Sequence, residues 1–224
     1  MISLSKRLKT IFDMVPRQII ADIGADHGKL VIALVECKKI NKAYAIENKK
    51  GPFERLVKEI EKANFNDKII PLFSDGISIL PDDVKTLVLA GMGGINIINI
   101  INSHLENLKN VDTIIVDAHT LTSKVREFIC SIGFIIADEK IVYEENVYYE
   151  IIKFIRATQA IYSSEDFEFG PILRERKEML FIQKYETRIK EIDFMLQTKQ
   201  IPSYKLMEFI KEKERIQNQL CKRN

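Results

Sequence analysis

Between residues 18 and 155, short apolar runs alternate with amphipathic stretches of helical spacing, and this alternation restricts the possible folds more than any other feature of the chain. Candidate strands span 18–23, 42–47, 68–73, 86–91 and 112–117, followed by two more at 134–144 and 148–155. Candidate helices lie between them at 29–39, 52–63, 95–105 and 122–132. A leading helix at 4–15 carries Leu4, Leu8, Ile11, Phe12 and Val15 on one face. Strand and helix alternate five times, the pattern of a parallel, doubly wound α/β sheet. No convincing helix separates the last two strands, so they are expected to pair antiparallel at one edge.

Composition sets the remaining bounds. A length of 224 residues fits one α/β domain plus an appendage, and 46% hydrophobic residues exclude a wholly disordered chain. There is neither an 18-residue apolar window nor an apolar signal core at the N-terminus, so a soluble, unexported, cytoplasmic protein without a membrane partner is expected. Cys37, Cys130 and Cys221 are widely spaced with no C-x-x-C, and the three histidines are scattered, so neither a disulfide framework nor a metal site is expected. Nothing in the sequence implies an oligomer. Charge is unevenly spread: residues 1–171 carry a net −3 and residues 172–224 a net +5. After Phe169-Gly170-Pro171 there is no glycine, and Leu173, Leu180, Ile189, Ile192 and Leu196, then Leu206, Phe209, Ile210, Ile216 and Leu220, fall near three-and-four spacing. Two helices joined around 199–203 are expected to pair as an antiparallel hairpin, giving a domain at 1–160 and a helical appendage at 161–224.

Ligands of open α/β sheets bind at the carboxyl ends of the strands, so residues there are the first candidates for function. The first strand ends in Asp22-Ile23-Gly24-Ala25-Asp26-His27-Gly28. This D-x-G-x-D-x-G differs from the G-x-G-x-x-G of a dinucleotide fold, because carboxylates there repel a pyrophosphate and attract an ammonium, which suits the amino-acid end of S-adenosyl-L-methionine. The competing reading is an ordinary turn in which Asp26 caps the helix. Glu47, followed by Asn48, closes the second strand where an acid would accept ribose hydroxyls. Asp75-Gly76 follows the third, where a polar side chain can meet an adenine edge, and Ala90-Gly91-Met92-Gly93-Gly94 follows the fourth, leaving backbone open to close approach. Lys6, Arg7 and Lys9, and a tail group of Arg174, Arg176, Lys177, Lys184, Arg188 and Lys190, offer electropositive surfaces to nucleic acid, or simply a solvated face.

Taken in order, Ser5-Lys6-Arg7-Leu8, Ala21-Asp22-Ile23-Gly24-Ala25-Asp26-His27, Gly51-Pro52, Ala90-Gly91-Met92-Gly93-Gly94, Tyr149-Glu150 and Phe169-Gly170-Pro171 resemble the bacterial tRNA (adenine-22 N1)-methyltransferase family (TrmK) over essentially the whole chain. The resemblance implies a class-I S-adenosylmethionine methyltransferase, Rossmann-like with a seven-stranded sheet, whose C-terminal α-helical hairpin or coiled coil contacts tRNA. It implies methyl transfer to N1 of a tRNA adenine. Such a reaction needs mainly in-line positioning and a base taken out of its stack, with no strong general base. Asp26 and then Asp117 are the leading candidates to hold the base, with His27 and His119 as further candidates. After the fifth strand the family carries a leucine-glutamine-proline-asparagine run where this chain has Val116-Asp117-Ala118-His119, so a base-contacting asparagine does not carry over. The rival readings are methylation of another nucleic acid or small molecule, and a non-catalytic scaffold that binds the cofactor or RNA.

Overall fold

The computed structural model describes residues 2–157, 160–198 and 202–221. Its strands are β1 (Ile20–Ile23), β2 (Ala43–Glu47), β3 (Ile69–Phe73), β4 (Thr86–Met92), β5 (Thr113–Ala118), β6 (Phe134–Glu144) and β7 (Val147–Arg156). The described residues place them in one seven-stranded sheet of order β3-β2-β1-β4-β5-β7-β6, with β1 to β5 parallel. β1, β2 and β5 are buried along their whole length, as parallel strands covered on both faces must be. One covering layer is α1 (Lys6–Met14), α2 (Lys29–Glu36) and α3 (Lys50–Lys62), which contribute Ile11, Leu30, Val31, Leu34, Leu56 and Ile60 to one core. The other is α4 (Gly94–Asn102) and α5 (Thr122–Ser131), which contribute Ile97, Ile101, Val125 and Ile129 to the second core. The crossover from β3 to β4, residues 74–85, carries no helix.

The late strands pair antiparallel at the edge as expected, but β7 is the inner one, lying against β5 with Asp117 opposite Ile151. The burial pattern gives the reason. Ile151, Ile152 and Phe154 of β7 are fully buried, whereas β6 alternates as an edge strand does.

The tail departs from the expected two helices. It begins with α6 (Ser164–Phe169), opened by a Ser163–Asp166 capping box, and α7 (Pro171–Arg176). Gly170 at φ +80° and Lys177 at φ +44° break the run before α8 (Met179–Thr198) and α9 (Ser203–Cys221). Leu173, expected on the first long helix, therefore belongs to α7. The pairing of α8 and α9 is as expected: Ile192 and Ile216 are buried in a third apolar cluster, and Arg188–Glu212 and Lys213–Asp193 cross between the two helices. Within the expected turn, residues 199–201 lie outside the described residues.

A buried polar cluster ties the tail to the sheet. Wholly buried Arg126 of α5 donates from Nε to Glu139 Oε1 at 2.7 Å and from Nη2 to Glu150 Oε2 at 2.5 Å, and Lys184 of α8 pairs with Glu150. Glu139 also accepts the Ile172 backbone N–H at 2.9 Å, at the start of α7. Two acids face two bases, so no net charge is buried. Burial pushes the Glu150 carboxyl up, but Lys184 and Arg126 outweigh it and hold its pKa at about 2. Gly170 is required here, because a Cβ on it would lie 2.7 Å from both Arg126 Nη2 and Glu139 Oε1. This cluster accounts for Glu150 and for the Phe169-Gly170-Pro171 motif as tail attachment.

Candidate functional site

Five parallel strands end on the same edge of the sheet, and the turn from β1 to α2 forms the floor of the site there. Its backbone is unusual: Gly24, Asp26 and Gly28 all have positive φ, at +71°, +40° and +63°. The Gly24 and Ala25 N–H groups donate to Ile46 O at 2.8 and 3.2 Å, pinning the turn to β2. A Cβ on Gly24 would strike the Met92 methyl, so the glycine lets the β4 side chain pack against the end of β1. The turn borders a cavity of about 240 Å3 lined by Asp22, Gly24, Ala25, Asp26, His27 and Lys29, with Arg7, Leu8, Leu30 and Ala90 completing it.

Asp22 is a buried acid that the surrounding charges do not compensate. It is 7% exposed, and burial alone raises its pKa from 3.8 to about 7. A carboxyl in that condition favours a cation placed in the cavity. Asp26 does not cap α2: Gly28 occupies the cap position and makes no side-chain cap hydrogen bond. Instead Asp26 lies half-exposed, 3.2 Å from Arg55 Nη2 and 3.5 Å from His27 Nε2.

One strand further along, Glu47 is buried, and its Oε1 accepts the N–H groups of Asn48 and Lys49 at 3.0 and 3.1 Å. Those bonds orient the carboxylate at the start of α3. Asn48 Nδ2 donates to Asp75 Oδ1 at 2.8 Å, joining the ends of β2 and β3. Gly76, at φ +55°, turns the chain against Ile100, where a Cβ would approach to 2.7 Å.

At the ends of β4 and β5 the structure brings together residues that the sequence had assigned to different tasks. Arg7, expected as an RNA contact, reaches from α1 into the site. Its Nη1 lies 2.7 Å from His119 Nε2 and 3.1 Å from Asp117 Oδ2, and its guanidinium sits 4.8 Å from the Tyr149 ring centre. The Tyr149 ring meets His119 edge-on at 5.4 Å. Because the guanidinium donates, His119 accepts at Nε2 and carries its proton on Nδ1. Asp117 is fully buried, and burial raises its carboxyl above the ordinary range although Arg7 and His119 oppose the shift. The structure therefore places Asp117 beneath Arg7, where it orients the guanidinium and is closed to a substrate base, while His119 is exposed. Gly91, at φ +75°, lies where a Cβ would be 3.7 Å from Arg7 Nη1, and Gly93 caps α4. Of the two carboxylates considered for the base, only Asp26 is accessible. Lys29, Arg55 and Tyr149 belong to this edge and were not singled out for it. A tyrosine on a strand has no sequence signal that distinguishes edge packing from a place in the site.

The electropositive tail face is largely neutralised within the fold. Arg174 pairs with Glu165 at 2.5 Å and Asp166 at 2.7 Å, Arg176 with Asp138 at 3.0 Å, and Arg188 with Glu212 at 2.7 Å; Lys184 is bound to buried Glu150. These residues hold the tail together, and charge reversal there would disturb folding as well as any RNA contact. Lys177 adopts the left-handed turn that ends α7. Lys9 pairs with Asp13 along α1 at 2.8 Å, while Lys6 is exposed and its backbone N–H donates to Glu144. Among the described residues, no helix is long and apolar enough to cross a membrane, and no group of three or more His, Cys, Asp or Glu side chains is placed to hold a metal ion.

An acid-floored cavity at the carboxyl edge of a 3-2-1-4-5-7-6 sheet is the arrangement of a methyltransferase domain. The family model described as a methyltransferase domain matches residues 4–152, and the chain belongs to that family. Within it, the chain is similar to the tRNA (adenine(22)-N(1))-methyltransferase of Bacillus subtilis, with 28% identity over 196 residues, 84% of this chain and 82% of the relative. It also superimposes on Streptococcus pneumoniae Sp1610 at a TM-score of 0.92 and 29% identity, covering 97% of this chain and 100% of the other. The same comparison with Sp1610 in complex with S-adenosyl-L-methionine gives 0.89 and 28%, again with 97% and 100% covered. The m1A22 tRNA methyltransferase TrmK of B. subtilis matches at 0.86 and 25%, covering 98% and 100%.

Proposed function

We propose that the chain transfers a methyl group from S-adenosyl-L-methionine to N1 of adenine 22 in tRNA. The observation that carries the cofactor assignment is Asp22: a buried carboxyl with no compensating charge, at the floor of a cavity that also holds Arg7 and Lys29. An α-amino acid is a zwitterion, and this cavity offers an acid for its ammonium and bases for its carboxylate. Glu47, already oriented by two backbone amides, is placed to accept ribose hydroxyls, and the Asn48–Asp75 pair with Gly76 flanks the adenine position. The cavity beside Gly24 and Ala25 admits the amino-acid end of the cofactor, and Ala90, Gly91 and Gly93 keep the β4 end free of bulky side chains.

When bound, S-adenosyl-L-methionine supplies an activated methyl on sulfur. The chain's own task is placement: adenine N1 has its lone pair free at neutral pH, so the residues need only hold it in line and exclude water. Asp26 and His27 stand at the cavity mouth, with Asp26 able to accept from the exocyclic amine and favour the positive charge that methylation leaves on the base. Arg7, held by Asp117 and His119, forms the opposite wall with Tyr149. The tRNA assignment is supported by the likeness to the B. subtilis relatives over most of the chain. In this reading residues 1–160 house the transfer, and the helices of 161–224 together with the exposed lysines Lys6, Lys49 and Lys50 receive the tRNA backbone. The test is methylation of transcript tRNA followed by primer extension and nucleoside mass spectrometry. N1-methyladenosine with an arrest at position 22 is expected. Turnover that persists when adenine 22 is replaced by guanine refutes the site assignment, and absence of turnover on any tRNA refutes the substrate.

A further inference from the structure

The loop that follows β5 contains a residue that the surrounding fold holds in a strained conformation. Leu121, at the N-cap of α5, has φ +54° and ψ +35°. A bulky branched side chain enters that left-handed region only at a cost that glycine or asparagine would avoid. Its side chain is 49% exposed, so burial does not compensate the cost. Yet the conformation is held firmly. The Gly94 N–H donates to Thr120 O at 3.1 Å and to Thr120 Oγ1 at 3.2 Å, and the His119 N–H donates to Met92 O at 2.8 Å. Leu121 O accepts from the Lys124 and Val125 N–H groups at 2.9 and 3.1 Å. Strain kept in place by its surroundings is characteristic of functional loops.

The position of the residue says what it contacts. A Cβ on Gly94 would lie 3.2 Å from Leu121 Cβ, so Leu121 rests on the start of α4, directly after the Ala90-Gly91-Met92-Gly93-Gly94 motif. The next residue on α4, Ile95, is 54% exposed. Two residues before Leu121 stands His119, fixed by Arg7. Two exposed aliphatic side chains, Leu121 before α5 and Ile95 in the first turn of α4, thus stand at the β4 and β5 ends beside the polar groups there.

We propose that Leu121, on the same edge as exposed Ile95, is the apolar platform against which the target nucleobase packs once it leaves its stack. An adenine face is apolar and needs such a surface when it loses its neighbours, while its Watson–Crick edge must stay free for the polar side of the site. The inference rests on the tRNA-adenine reading above and deepens it by naming the residue that meets the base face.

The test uses the full chain with Leu121→Gly, Leu121→Asn and Leu121→Met. The glycine and asparagine variants are expected to melt at or above the parent's temperature and to bind S-adenosyl-L-methionine with the parent's affinity, while kcat/KM for tRNA falls about tenfold. The methionine variant, which keeps an apolar surface, is expected to retain most of the activity. A tRNA transcript carrying 2-aminopurine at position 22, with S-adenosylhomocysteine present, gives a second readout. The parent is expected to raise its fluorescence as the base unstacks onto an aliphatic surface, and the glycine variant to lose most of that rise. Parent-like kinetics and fluorescence in Leu121→Gly overturn the proposal while leaving the tRNA reading intact. A parent that methylates no tRNA overturns both.

Discussion

Replacing Asp22 with asparagine is expected to stabilise the cofactor-free protein and to weaken cofactor binding, opposite effects of one substitution. The buried carboxyl titrates at about 7 in the folded chain against 3.8 as the ordinary value. That difference is worth roughly 4 kcal/mol against folding once the group is ionised. Asparagine removes the charge but leaves a buried amide, which returns about 1–3 kcal/mol of the gain. A net stabilisation of about 1–3 kcal/mol at pH 8 follows, equivalent to roughly 2–12 °C in a chain of this size. The pH dependence has a definite sign. The folded-state pKa lies above the unfolded one, so the carboxyl contributes relative stability below pH 4, and that contribution is lost as pH rises from about 4 to 7. The stability gap between variant and parent should therefore open across that window and stay constant above it. Urea unfolding of both proteins between pH 4 and pH 8 measures this directly, with calorimetry of S-adenosyl-L-methionine binding alongside. In the parent, affinity should rise by up to tenfold per pH unit below pH 7, because binding an ammonium requires the ionised carboxyl, and the asparagine variant should lack that slope. A variant whose stability gap does not change with pH would refute the claim that Asp22 is held uncompensated.

Other outcomes follow from the same geometry. Glu47→Ala should weaken S-adenosyl-L-methionine binding by about 1.5–3 kcal/mol, read by calorimetry, from loss of charge-assisted hydrogen bonds. Asp26→Asn should lower methyl transfer to tRNA more than cofactor affinity; single-turnover assays at saturating cofactor check it, and an effect on affinity alone would assign Asp26 to the cofactor. Asp117→Asn should weaken S-adenosyl-L-methionine binding several-fold and raise KM for tRNA, because Arg7, a wall of the cofactor cavity, loses the charge that orients it; calorimetry and steady-state kinetics check it. Glu150→Gln should destabilise the fold by about 3 kcal/mol in denaturant titration, since it leaves Arg126 and Lys184 facing a neutral partner in the interior.

How much of the protein was legible in the chain depends on the range of the interactions involved. Strand and helix positions rest on local periodicity, and 134–144 matches β6 to the residue. The site edge was legible for the same reason: in a parallel sheet the residues that end successive strands, from Asp22 through Glu47, Asp75 and Gly91, must share one edge whatever fills the core. Likewise the glycines at 24, 28, 76 and 91 stand at positive φ, a backbone need that the residue type itself declares. Tertiary structure alone decided where side chains distant in sequence meet. Arg7 and His119 are 112 residues apart, and only the docking of α1 over the β5 end turns a surface-looking arginine into a wall of the site. The same holds for the tail, where a net positive count suggested a free RNA-binding face and folding paired Arg174, Lys184 and Arg188 with acids. A sequence displays a charge but not its partner. Charge pairing is settled by distances of a few ångströms, and those distances exist only once the chain has packed.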